Sequence, residues 1–273
     1  MSGKLYVVGT PIGNLGDMTP RAVEAMRNAD FIAAEDTRVT QKLLNHFEIK
    51  KHTISYHQHS GEAVSEQIIS RILAGESCAV VTDAGMPCIS DPGEDLVRIC
   101  AENNIETVVV PGASAVVCAL ALSGLSTSRF AFEGFLSVNR KNRAEHLESI
   151  KEDRHTLIFY EAPHKLINTL SDMLKAFGER KISLARELTK LHEEVIRTTL
   201  SGALELYKEK SPRGEYVLVI EGAPAKTTEG LSFEEATEML KAMVKDGQSI
   251  TSAAKEVAKE TGYKKNELYK AAL

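Results

Sequence analysis

Short apolar runs alternate with longer amphipathic stretches along the first half of the chain. KLYVVGT (4–10), FIAAE (31–35), TISYH (53–57), SCAVVT (77–82) and ETVVV (106–110) predict strands. Apolar residues with no polar alternation mark strands covered on both faces. Between them, Thr19 predicts a helix cap with Pro20 at the first helical position and Ala22, Val23 and Met26 along one face. Thr40 is expected to open the next helix, through Leu43, Leu44 and Phe47, and residues 62–74 give another that closes at Gly75. Asp91-Pro92-Gly93-Glu94 then starts a helix with capping-box spacing, and 114–123 form an apolar helix ended by Gly124. This βα alternation predicts a mostly parallel sheet with helices on both faces.

The second half has a different rhythm. FAFEGF (130–135), TLIFYEA (156–162), ISLAREL (182–188) and EYVLVIE (215–221) predict strands, with helices between the first three and Gly178 as a C-cap. Larger polar insertions suggest a mixed α/β domain. The boundary near 120–130 gives domains over 1–122 and 123–222. APAKTTEG (223–230) reads as a linker. Ser232 and Glu235 then form a capping box, and a small module over 230–273 reads as three short helices. In it, Ala258-x3-Gly262 has the form of a helix-turn-helix turn, placing Lys264, Lys265, Asn266 and Lys270 on the following helix; a small bundle that only packs on the rest of the chain fits the pattern equally well.

Composition adds exclusions. The 273 residues are 43% apolar and 26% charged, as expected of a soluble globular chain long enough for a substantial core. A net charge of −5 gives no bulk attraction to nucleic acid, so any basic surface must be local. Cys78, Cys88, Cys100 and Cys118 show neither a CxxC nor a metal-ligand spacing, so no metal is expected and the thiols read as reduced fillers in a cytoplasmic protein. The opening MSGKLYVVGT turns polar too soon for a signal peptide, and no apolar run reaches the ~20 residues of a membrane span.

Three strand-end loops are rich in glycine or proline: GTPIGNLGDMTP (9–20), TDAGMPCISDPG (82–93) and PGASA (111–115). Ligands of open α/β sheets bind at such carboxyl ends. The first loop is G-x3-G-x2-G rather than the dinucleotide fingerprint, and none of the three holds a Lys or Arg, while Asp17, Asp83 and Asp91 all lie in them. That charge disfavours a pyrophosphate and favours a ligand with a cationic centre, such as S-adenosylmethionine. Asp83 follows a buried strand with no cap to make, so folding explains it least.

These loops, with EDTR (35–38), FYEAPHK (159–165), RELTKLHEE (186–194) and RGEYV (213–217), resemble the ribosomal RNA small subunit methyltransferase I family of the tetrapyrrole methylase superfamily. Met86 stands where that family more often has Thr. The resemblance implies two α/β domains of the tetrapyrrole methylase type with a cofactor cleft between them, S-adenosyl-L-methionine as cofactor, and a homodimer. It also implies 2′-O-methylation of a cytidine ribose in the decoding region of small-subunit (16S) ribosomal RNA, free or within the ribosomal subunit. Carried over residue by residue, it places cofactor contacts at Pro11, Gly13, Asp83, Ala84, Gly85, Pro111, Gly112, Ser114 and Ala115, and on a second wall at Ala162, Pro163, Ala185, Arg186, Glu187 and Leu188.

A ribose hydroxyl needs a general base, which is expected to help by ~10²–10⁴-fold. Glu35, Asp36, His57, His164 and Glu187 are candidates, with Asp36 preferred; the alternative is that Lys190 or Arg38 only steadies the developing alkoxide. The polar side chains of YHQH (56–59) are expected to face solvent or to hydrogen-bond within their loop. RNA contacts are expected at Arg38, Arg140, Lys141, Arg143, Lys165, Lys264 and Lys265. Two other readings compete: a precorrin-type tetrapyrrole methyltransferase, and a metabolite-sensing nucleic-acid-binding protein.

Overall fold

The computed structural model describes residues 2–58, 60–224 and 231–273. His59 of YHQH and residues 225–230 of the expected linker therefore lie outside the described residues. The chain divides into two compact units, Met1–Gly222 and Ala223–Leu273.

The first unit holds two five-stranded sheets. β1 (Leu5–Val8), β2 (Phe31–Ala34), β3 (His52–Ser55), β4 (Cys78–Val81) and β5 (Thr107–Val110) make an all-parallel sheet in the order β3-β2-β4-β1-β5. Its central strands β1, β2 and β4 are apolar on both faces because both are covered, while the edge strands β3 and β5 keep His52, Ser55, Thr107 and Val109 exposed. Leu5, Val7, Phe31, Ala33, Cys78 and Val80 pack with Ile68 and Ile72 of α3 (Glu62–Leu73) and Leu96 of α4 (Glu94–Glu102). Val8, Ile32, Ala34, Ala79 and Val81 pack on the other face with Met26 of α1 (Pro20–Asn28) and Leu44 of α2 (Thr37–His46). Thr19 caps α1 as expected, its side chain accepting from the Ala22 N–H. The start of α2 differs from expectation: Asp36 is the cap, accepting from the Arg38 N–H, and Thr40 lies within the helix.

The second sheet is mixed. β6 (Phe130–Phe135), β7 (Thr156–Glu161), β8 (Lys181–Arg186), β9 (Glu194–Thr199) and β10 (Tyr216–Ile220) run in the order β6-β7-β10-β8-β9, parallel only between β6 and β7. α6 (Arg140–Ile150), α7 (Leu166–Phe177) and α8 (Leu200–Glu209) contribute Leu147, Leu170 and Leu200 to the core on one face. α5 (Ala115–Ser123), entered from the loop after β5, packs Val116, Ala119 and Leu120 on the opposite face. β9 and α8 occupy what read as a polar insertion.

The described residues of the second unit form three helices, α9 (Phe233–Lys245), α10 (Ile250–Thr261) and α11 (Lys265–Ala271), around Ala236, Leu240, Ala253, Ala254, Val257 and Leu268. The Ser232–Glu235 capping box is present, and Gly262 ends α10 in the left-handed conformation. Among the described residues, no helix is long and apolar enough to cross a membrane.

Candidate functional site

Because β4, β1 and β5 are neighbours in the sheet, their carboxyl-end loops come together. Thr10 and Gly85 exchange backbone hydrogen bonds of 2.9 and 3.2 Å, which joins the first loop to the second. The third is held by the Gly112 N–H donating to Met86 Sδ at 3.3 Å. Gly9 and Gly112 pass so closely that a Cβ on Gly112 would stand 2.7 Å from the Gly9 carbonyl carbon. Met86 therefore has a contact of its own, a thioether accepting a hydrogen bond.

A cavity of about 330 Å³ opens between these loops and the second sheet. The first sheet supplies Ile12, Glu35, Asp83, Ala84, Gly85, Met86, Ser90, Asp91, Ser114 and Ala115; the second supplies Phe135, Tyr160, Glu161, Ala185, Arg186, Glu187, Leu188, Lys190, Glu215 and Tyr216. Its charge is negative. Both cations in the lining are engaged, Arg186 with Glu194 at 2.5 Å and Lys190 with Glu187 at 3.0 Å. Burial raises Asp83 from its ordinary value. Burial, reinforced by Glu35, Asp83 and Glu215, pushes Asp91 up to about 7.

Backbone strain gathers at the same place. Of the six non-glycine residues at positive φ among those described, Cys88 (73°), Ser90 (60°), Glu187 (51°) and Thr189 (67°) lie in the two loops that face each other across the cavity. Such conformations persist where surrounding structure enforces them, commonly at functional sites.

The structure brings many of the expected residues into one lining: Asp83, Ala84, Gly85, Ser114, Ala115, Ala185, Arg186, Glu187, Leu188 and Lys190. Gly13 packs behind it, where an added Cβ would lie 2.5 Å from Lys190 Cγ. Pro11, Pro111, Gly112, Ala162 and Pro163 stand outside the lining, as do His57 and His164. Ser114 precedes α5 without a side-chain cap hydrogen bond.

Three expectations need correcting. Asp91 and Glu94 form no capping box; Gly93 takes the N-cap position of α4 without a side-chain bond, and Asp91 faces the cavity. Asp36 lies outside the lining, pairs with Arg38 at 2.6 Å and is held well below the usual carboxylate range by that hydrogen bond, which makes it a weak base. Arg143 is an internal brace, 2.6 Å from Asp172 with its side chain only 13% exposed. Arg140 and Lys141 remain exposed at the start of α6, Lys165 is half-buried before α7, and Lys264 and Lys265 are exposed at α11. Sequence reasoning missed Tyr160, Glu161, Glu215 and Phe135, although all but Phe135 stood in quoted motifs.

Comparison with known proteins bears on this site. The family described as Tetrapyrrole (Corrin/Porphyrin) Methylases matches residues 4–204, and that described as RsmI C-terminal HTH domain matches 231–273. The chain is 46% identical over 272 residues to "Ribosomal RNA small subunit methyltransferase I" of Synechocystis sp., covering 99% of this chain and 98% of that one. A Thermotoga maritima protein of the same name is 45% identical over 220 residues, covering 81% of this chain and 99% of its own. Among solved structures, uroporphyrin-III C-methyl transferase from Thermus thermophilus complexed with S-adenyl homocysteine has a TM-score of 0.57 at 16% identity. That likeness covers 79% of this chain and 97% of the other, and shows the shared fold.

Proposed function

The chain belongs to the tetrapyrrole methylases and, among them, to the ribosomal RNA small subunit methyltransferase I family; from that premise we propose that it moves a methyl group from S-adenosylmethionine to the 2′-hydroxyl of a cytidine ribose in the decoding region of small-subunit ribosomal RNA. The observation that carries this reading is the sign of the cavity. Glu35, Asp83, Asp91 and Glu215 line it, while Arg186 and Lys190 are each paired with a carboxylate. A ligand bearing a sulfonium and an ammonium fits such a lining; a pyrophosphate would be repelled.

When bound, S-adenosylmethionine supplies an electrophilic methyl, and alignment of the acceptor oxygen with it provides most of the acceleration. Asp83, Ala84, Gly85, Ser114 and Ala115 would hold it from one wall and Ala185 and Leu188 from the other. Pro11, Gly13, Pro111, Gly112, Ala162 and Pro163 would shape the loops behind. The acceptor hydroxyl must lose its proton, and Asp91 is the carboxylate suited to take it: it lines the cavity, is half-buried, and has no hydrogen bond or ion pair among the described residues. Lys190 would steady the developing alkoxide by its charge. A homodimer belongs to the same proposal, supported by Val117 and Leu122 exposed on α5 and Phe130 and Phe135 exposed on the edge strand β6.

Calorimetry should find S-adenosylmethionine binding and no comparable NAD binding. Ribose-methylation mapping after deletion of the gene should lose one cytidine 2′-O-methyl mark from small-subunit ribosomal RNA. An unchanged map, or NAD bound as tightly, would sink the reading.

The helical unit offers a separate test. All the cofactor residues proposed above lie in Met1–Gly222, which has its own cores. The Thermotoga relative corresponds over its whole length to about four-fifths of this chain. Truncation after Gly222 is therefore expected to leave cofactor affinity within about twofold. If Lys264 and Lys265 contact phosphates, the truncation also weakens RNA binding and flattens its salt dependence. Equal RNA affinity and salt slope would remove that role from the module.

A further inference from the structure

Beside the acid-lined cavity lies a second, smaller one of about 280 Å³, lined by Arg186, Lys210, Ser211, Arg213 and Tyr216. Arg186 and Tyr216 line both, so the two are adjacent. Their charges are opposite. Two of the second cavity's cations share one carboxylate from outside its lining, Glu194, which lies 2.5 Å from Arg186 and 3.2 Å from Lys210. Arg213 is exposed and forms no ion pair with a described residue. Three cations against one acid leave this pocket positive.

The pocket is held in place by the main site. The Arg213 N–H donates to the Tyr216 hydroxyl at 3.2 Å, and the buried Tyr207 hydroxyl donates to the same oxygen at 3.2 Å. Gly214 sits at φ 73°, so close to the main cavity that a Cβ there would meet Glu187 Oε1 at 2.6 Å. The loop from Ser211 to Gly214 thus rests on Glu187, across the wall from the reacting centre.

We propose that the pocket of Arg186, Lys210, Ser211 and Arg213 binds a backbone phosphate flanking the nucleotide whose ribose enters the main cavity. The inference rests on the RNA reading above and names a part of it that the sequence did not. An RNA segment cannot place its phosphates among Glu35, Asp83, Asp91 and Glu215 without strong repulsion, yet its uncharged ribose hydroxyl must reach them. A positive pocket one wall away resolves that conflict, since ribose and phosphate are adjacent along the chain. Ser211 adds a hydroxyl donor, and Arg213 offers the planar fork that suits phosphate oxygens.

The test is a Lys210→Gln/Arg213→Gln double variant beside a Lys208→Gln control, whose cation pairs with Glu205 outside the pocket. Small ribosomal subunits from a deletion strain serve as substrate, and a fluorescein-labelled single-stranded RNA spanning the decoding region serves as the binding probe. The double variant is expected to raise KM for subunits by about tenfold or more, with kcat and S-adenosylmethionine affinity within about twofold. Its slope of log affinity against log salt should fall by about 1–2, as loss of one or two phosphate contacts requires. The control should match wild type. A double variant with wild-type KM and slope, or one no different from Lys208→Gln, overturns the pocket, as does a wild-type protein that binds no RNA. A wild-type protein that binds RNA and loses slope in the variant, yet transfers no methyl, leaves the pocket standing and removes the methylation reading instead.

Discussion

Replacing Asp91 with Asn is expected to lower the rate of methyl transfer by about 10²–10⁴-fold, the usual contribution of a positioned general base. Affinity for S-adenosylmethionine should stay within a few-fold. The substitution is nearly isosteric and severs no bond in the described structure, since Asp91 has no hydrogen-bond or ion-pair partner there. What it removes is proton affinity in a place built to raise it. Single-turnover transfer to small subunits measures the effect, and a variant retaining more than a tenth of wild-type rate would exclude Asp91 as the base.

The pH dependence follows from the same residue. Asp91 sits near 7 in the free protein because burial disfavours its charge, and Glu35, Asp83 and Glu215 add repulsion. kcat/KM, which reports the free enzyme, should fall as pH drops through about 7. In kcat the limb should move to lower pH, because a bound sulfonium or ammonium favours the carboxylate. Both limbs should vanish in Asp91→Asn. Stability carries the opposite sign. A carboxyl whose folded pKa lies above its unfolded ~3.9 loses stability as pH rises from about 4 to 7, since the unfolded chain ionises first. A rise of about three units corresponds to a ceiling of ~4 kcal/mol, and partial exposure reduces this to about 1–2 kcal/mol. Asp91→Asn should therefore melt higher than wild type at pH 7.5, and the difference should close near pH 4.

The sequence made the middle of the first sheet legible because β2 and β4 are buried on two faces, and no polar alternation masks the runs at 31–34 and 78–81. The caps at Thr19 and Ser232 were legible for a local reason, as their partners lie three residues away. β9 was not legible. It is an edge strand whose Glu194 and Arg197 are spent on an ion pair with Arg186 and on the Leu122 carbonyl, which gives it the look of a polar insertion. Asp91 was hidden by its own surroundings: Asp-Pro-Gly-Glu has the spacing of a capping box. The turn of the chain at Cys88 and Ser90, both at positive φ, instead sends its carboxyl into the cavity. Neither residue type announces that conformation. Asp36 and Arg143 misled for a related reason, since composition shows a charge and not the partner that consumes it.

Gly112→Ala is expected to lower both thermal stability and cofactor affinity, the latter by about tenfold or more. The added methyl would stand 2.7 Å from the Gly9 carbonyl carbon and 2.8 Å from its Cα, and neither is the end of a side chain that can rotate away. Gly9→Ala meets the same obstacle from the other side, 2.7 Å from the Gly112 nitrogen and 2.6 Å from Met86 Sδ. Either change must part the loop after β5 from the end of β1, stretching the Gly112 N–H bond to Met86 and carrying Ser114 and Ala115 away from Asp83 and Gly85. Overpacking of this kind costs about 1–3 kcal/mol. Gly61→Ala is the control, because an added Cβ there meets nothing within 4 Å; it should leave melting and binding close to wild type. The two loop variants should also fail to add when combined, since either methyl alone already parts the same pair of strands' ends. Wild-type affinity in Gly112→Ala would mean that the close approach at Gly9 serves folding alone, and that the 111–115 loop does not position the cofactor.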